Sequence, residues 1–174
     1  MALAVCLLFD PRSDRLLREL WARLEQRGIN TLQSHTHRQH HPHLSYAVML
    51  DWDLAAVRPA VEALPAGDPL QLSVQGTVCF PRGRAALAVA GSAELMQRQE
   101  RVAATVDATG AVLHRHYQPG RWVPHISVAT GTNDSTLPLV IKAVADMLQL
   151  TVCAGRAALI DSSTGELTAL PQLP

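Results

Sequence analysis

The sequence is short of several things, and each shortage removes a class of protein. It holds three cysteines, Cys6, Cys79 and Cys153, far apart and odd in number. No C-x-x-C or zinc-type spacing occurs, so neither a disulfide framework nor a zinc ribbon is expected, and a reducing cytoplasm fits best. Charge of one sign is missing too, because fifteen Lys and Arg balance fifteen Asp and Glu. Proteins that coat nucleic acid or membrane without specificity usually carry a basic excess, so that class is disfavoured. No apolar run approaches the roughly 18 residues of a membrane span. The apolar opening to Phe9 has no basic flank and runs into Asp10-Pro11-Arg12, which reads as a buried strand in place of a signal peptide. Both phosphate-loop patterns, GxGxxG and GxxxxGK[ST], are absent, as is the GxSxG of serine hydrolases. Aromatics make up 4% of the chain, yet hydrophobic residues reach 48% over 174 positions. That suffices for the core of one domain over residues 1–174, built as two lobes.

The pattern of elements is legible. Leu3 to Phe9 has the length and content of a buried strand, and Asp10-Pro11 opens a helix on which Leu16, Leu20 and Leu24 recur, with Gly28 as its stop. A polar, His-rich loop follows, from Ile29 to Pro42. His43 to Leu50 resumes as a strand, and Leu54, Val57, Val61 and Leu64 mark a second helix. Gln71 to Phe80 and Ala85 to Ala90 form a hairpin across Pro81-Arg82-Gly83. A helix from Ser92, a strand from His125 to Ala129, a helix carrying Val140, Val144 and Leu148, and two short C-terminal strands complete the order. Helices alternate with strands, yet hairpins are present, so the expected class is α+β with antiparallel or mixed sheets.

The two halves share a motif. Each has a loop ending in Pro-His and then a strand: Pro42-His43-Leu44-Ser45 and Pro124-His125-Ile126-Ser127. On a strand, positions i and i+2 face the same way, about 6.5–7 Å apart. His43 and Ser45 therefore share one face, as do His125 and Ser127, while Leu44 and Ile126 turn to the core. One such pair is weak evidence, since a His beside a Ser is commonly only a surface pair. Two copies about half a chain apart, related by a pseudo-two-fold axis, would bring two imidazoles and two hydroxyls into one cleft. That set suits a phosphodiester. A neutral imidazole takes a proton from the nucleophile, an imidazolium protonates the leaving oxygen, and hydroxyls steady the charge on phosphorus. Neither proton transfer requires a metal or other cofactor.

His43-Leu44-Ser45 and His125-Ile126-Ser127 resemble the paired H-x-[ST] motifs of the 2H phosphoesterase superfamily, most nearly its bacterial 2′-5′ RNA ligase / RNA 2′,3′-cyclic phosphodiesterase branch. The resemblance in element order covers nearly the whole chain. It implies a bilobal α+β fold, two pseudo-symmetric lobes facing a central cleft with helices outside. It also implies metal-independent chemistry on RNA ends or small cyclic nucleotides. By motif position, His43 would protonate the leaving 3′ oxygen, His125 would activate water, and Ser45 and Ser127 would grip the phosphate. Reversible 2′-5′ RNA ligation uses the same groups with a 5′-hydroxyl in place of water. A noncatalytic RNA-end or nucleotide-binding module is the reading from another class.

The second motif is followed by Val128-Ala129-Thr130-Gly131, where many relatives have a basic residue. Charge neutralisation must then come from elsewhere: Arg38 and His41 before the first motif, Arg82 and Arg84 in the hairpin turn, or Arg115 and Arg121 before the second. Each alone is more simply a solvated surface group. Tyr117 and Trp122 are placed to stack on a base, whereas Tyr46 points to the core. Five His between His35 and His43 invite a metal, but no Cys or carboxylate stands at ligand spacing, so a polar loop beside the active site is the expectation. No metal, membrane or obligate protein partner is implied.

Overall fold

The computed structural model describes residues 2–174. Strand β1 (Leu3–Phe9) is buried along its whole length. Helix α1 (Pro11–Glu25) starts where Asp10 accepts the Ser13 N–H and Pro11 supplies a preset φ. Next come β2 (His43–Asp51), α2 (Leu54–Glu62), the hairpin β3 (Leu70–Phe80) and β4 (Arg84–Val89), and α3 (Ala93–Ala108), which Ser92 caps. The order closes with β5 (Val112–Leu113), a 3-10 turn (Arg115–Tyr117), β6 (His125–Ala129), α4 (Leu137–Ala145), β7 (Thr151–Asp161) and β8 (Leu167–Ala169). The α+β order read from the sequence holds, with two additions. Strand β5 and the 3-10 turn are too short to leave any periodicity. Helix α4 also ends at Ala145, leaving Leu148 43% exposed and off its apolar face.

Every strand pair is antiparallel, and the sheet runs β5-β2-β1-β7-β3-β4-β6, with β8 added on β7. Strand β3 joins the two lobes: Leu70–Ser73 pair with β7, and the stretch from Val74 onward pairs with β4. Trp21, Leu20 and Leu24 of α1 and Leu95, Val102 and Val106 of α3 fill the helix side against Val5, Leu7, Leu44, Ile126 and Val128. The other side of the sheet carries the cleft.

The two motif strands share an irregularity. Between β1 and β2 the register jumps from Cys6↔Ser45 to Val5↔Ala47, so Tyr46 is an extra residue in β2. Between β4 and β6 it jumps from Ala86↔Ser127 to Ala85↔Ala129, so Val128 is extra in β6. Each His-x-Ser is thus followed at once by a β-bulge. Bulges interrupt the ladder and re-aim side chains, and they are frequent beside active sites.

Candidate active site

Pro42 and Pro124 set the geometry of the two histidines. Proline fixes its own φ and holds the residue before it extended, so the carbonyl two residues before each His swings toward the imidazole. His43 Nδ1 lies 2.7 Å from the His41 carbonyl, and His125 Nδ1 lies 2.7 Å from the Val123 carbonyl. A carbonyl only accepts, so both Nδ1 atoms carry the proton. In the neutral rings Nε2 is then the bare, basic atom.

Both rings line a cavity of about 450 Å³ between the lobes, and Ser127, Arg82, Arg84 and Tyr117 line it as well. The wall is also made by Phe80, His35, His40, His114, Arg115 and His116. Among the described residues no Asp or Glu contributes to it. In a chain with no net charge, the cleft is cationic because the acids lie elsewhere. Among the described residues no group of three His, Cys, Asp or Glu side chains could hold a metal.

Burial pushes the pKa of His43 below the usual 6.5, and the charges of His125 and His41 add to this against the raising effect of the His41 carbonyl. His125 is lowered by burial too, with His116 adding to it and the Val123 carbonyl opposing. Because the His125 charge opposes that on His43, the site takes up one proton more readily than two. One charged and one neutral imidazole is the state that acid–base chemistry needs.

The remaining residues singled out in the sequence divide. Ser127 reaches the cavity, but Ser45 is buried behind its wall, its hydroxyl 3.5 Å from Cys6 Sγ. That thiol stays protonated, pushed up to about 12 by burial. Trp122, expected to stack on a base, is 6% exposed and packs against Tyr46, with its Nε1–H on the Ser45 carbonyl at 3.1 Å. It is a core residue. His41 turns into a separate groove beside α1, where its Nδ1 is 3.1 Å from Arg18 Nη2, and Arg38 does not line the cleft. Tyr46 is buried, as its strand position implied.

Phe80 is the aromatic the sequence reading missed, with its ring centroid 4.7 Å from that of His125. Its only signal was its place just before the Pro81-Arg82-Gly83 turn. His114 and His116 were missed because the 3-10 turn that presents them has no pattern. The His-rich loop does border the cleft, through His35, Thr36 and His40. His37 seats over Gly165 in the β7–β8 turn, where any Cβ would collide with its ring.

A family model described as the 2′-5′ RNA ligase superfamily matches residues 12–166. No curated protein matches the sequence. Among solved structures, Usb1 of Kluyveromyces marxianus superposes with a TM-score of 0.55 at 16% identity, covering 98% of this chain and 97% of that one. LigT of E. coli, solved with NADP+, gives 0.60 at 10% identity, covering 97% and 93%. A protein described only as a phosphoesterase gives 0.61 at 10% identity, covering 97% and 94%. At these identities the likeness is one of fold.

Proposed function

This chain belongs to the 2′-5′ RNA ligase superfamily, and on that premise we propose that its cleft hydrolyses 2′,3′-cyclic phosphates, at RNA ends or on small nucleotides, by two-histidine acid–base catalysis. The observation that carries this is the matched pair of imidazoles. Each is held by its Nδ1–H on a backbone carbonyl, and both open onto one cleft without a carboxylate.

In the reaction, His125 Nε2 takes a proton from water as the water oxygen bonds to phosphorus. The bond from phosphorus to the 3′ oxygen breaks, and His43, charged at Nε2, gives that oxygen its proton. The two rings exchange states over one turnover. Ser127 donates to a non-bridging oxygen, and Tyr117, which lines the same cavity, is available to do the same. The fold neighbours are consistent with a nucleotide substrate: one K. marxianus Usb1 structure holds uridine monophosphate and the E. coli LigT structure holds NADP+.

The test is turnover of nucleoside 2′,3′-cyclic monophosphates and of a short RNA ending in a cyclic phosphate, with EDTA present. Turnover should survive the chelator and fall by about 10²–10⁴ in kcat for either His43→Ala or His125→Ala, the usual range for an acid–base group. A folded wild-type protein inert on all of these would overturn the reading.

A further inference from the structure

The cleft holds more positive charge than one phosphodiester can use. A cyclic phosphate carries a single negative charge, and one protonated imidazole already answers it. Beyond the two histidines, the same cavity is lined by Arg82, Arg84 and Arg115. None of these arginines takes part in an ion pair among the described residues. They stand together. His114 lines the same cavity, and its pKa is lowered first by burial and then by the charges of His116, Arg115, Arg84 and Arg82. Like charges gathered without acids repel. A bound anion relieves that repulsion.

The wall is also fixed in place. The turn carrying Arg82 and Arg84 is anchored at Gly83, whose carbonyl accepts from both Thr132 N–H at 2.9 Å and Thr132 Oγ1 at 3.0 Å. Gly83 sits at φ +66°, and a Cβ there would run into the Thr132 backbone. On the facing side, Arg115 Nε donates to His116 Nε2 at 3.4 Å, and the His114 and His116 rings lie 5.1 Å apart. The wall adjoins the reacting centre, since the Tyr117 ring that ends this turn is 6.4 Å from that of His125.

We propose that Arg82, Arg84, Arg115 and His116 form a second phosphate subsite, so that the substrate of this cleft carries a phosphate group beyond the one that reacts. This rests on the phosphoesterase reading and narrows its substrate to nucleotides with at least two phosphates. Arginine suits the role because its planar fork meets two phosphate oxygens at once. The second phosphate is either the 5′-phosphate of a mononucleotide or the internucleotide phosphate of an RNA end.

Binding tests this without turnover. Calorimetry would compare adenosine 2′-monophosphate, adenosine 2′,5′-bisphosphate and ApAp, a dinucleotide with its terminal phosphate on the 2′ oxygen, on wild type, on Arg115→Gln and on the Arg84→Gln/Arg115→Gln protein. At least one doubly phosphorylated ligand should bind wild type about tenfold tighter than the monophosphate, as charged hydrogen bonds to a phosphate imply. That preference should shrink in the single variant and fall to within about twofold in the double. Gain by ApAp alone would identify the internucleotide phosphate, and gain by the bisphosphate a terminal one. Equal affinity of wild type for all three, or a preference untouched in the double variant, would overturn the subsite. Absent turnover with the binding preference intact would sink the hydrolytic reading and leave the subsite standing.

Discussion

Trp21 and Trp122 hold the two motif serines crosswise. Trp21, in the N-terminal helix, donates its indole N–H to the Ser127 carbonyl at 3.3 Å, and Trp122, just before the second motif, donates to the Ser45 carbonyl at 3.1 Å. Each carbonyl stands at a bulge, where the ladder is interrupted and a backbone acceptor needs another donor. Each motif is thereby fixed by a residue from the other half of the chain. Trp→Phe keeps most of the packing and removes only the donor. Trp122→Phe should cost about 1–3 kcal/mol of unfolding free energy, the price of an unsatisfied buried carbonyl. Trp21→Phe should cost less, because its bond is longer and less buried. Urea unfolding of both variants checks the ranking, and equal stability of Trp122→Phe and wild type would show that this bond contributes nothing.

The lowered histidine pKa values predict proton uptake on phosphate binding. Burial depresses both His43 and His125 in the free protein, whereas a phosphate dianion in the cleft favours the charged ring. The bound pKa therefore lies above the free one, and binding takes up a proton between them. Affinity for sulfate, a phosphate analogue that stays a dianion across this range, should tighten as pH falls below the bound pKa and level off beneath the free one. Titration in buffers of different ionisation enthalpy measures the uptake directly. The pH profile of kcat/KM, which reports the free protein, should have its optimum on the acid side of 6.5. Affinity independent of pH from 5 to 8 would show that neither ring changes its proton in the complex.

Proline before each histidine is a further point of control. Pro124→Ala leaves the side chains of the site in place but frees the backbone that brings the Val123 carbonyl to His125 Nδ1. Without that acceptor held in position, the imidazole loses its preference for the Nδ1–H tautomer. The expected result is a fall in kcat larger than any rise in KM. Nitrogen-15 chemical shifts of the His125 ring should move toward a tautomer mixture. An unchanged spectrum would place the control of the tautomer elsewhere.

Much of this was readable from residue order, because the signals involved are local. Pro-His-x-Ser is four adjacent residues, so its strand position, its facing side and its pairing of acid–base groups follow from period-two geometry. What escaped depends on distance. Trp122 looked like an exposed ring in a loop, and only the curl of the sheet reveals Ser45 as its partner. Ser45 and Ser127 look equivalent in sequence, yet one is buried against Cys6 and the other lines the cavity. His41 and His40 are neighbours that face different grooves, since the loop doubles back through left-handed positions at Thr36 and Arg38. A cavity wall free of carboxylates is likewise invisible in a chain whose charges sum to zero.

His40 ties the stability of the loop to pH. Its ring packs 4.1 Å from that of His37, and its Nε2 lies 2.9 Å from Thr36 Oγ1. Burial first, and then the charges of His37, His43 and His35, push its pKa down to about 4. In the unfolded chain the same ring titrates near 6.5. Between those values the unfolded state holds more protons, so stability must fall as pH drops through that window. The contribution is fully present above 6.5, is lost progressively toward 4 and changes no further below it. His40→Gln retains a hydrogen-bonding side chain toward Thr36 and removes the titration. Between pH 7.5 and 5 the melting temperature of wild type should therefore fall further than that of the variant. Parallel curves would mean that the loop releases His40 to solvent on protonation, and that the wall it forms beside His43 is open under acid conditions.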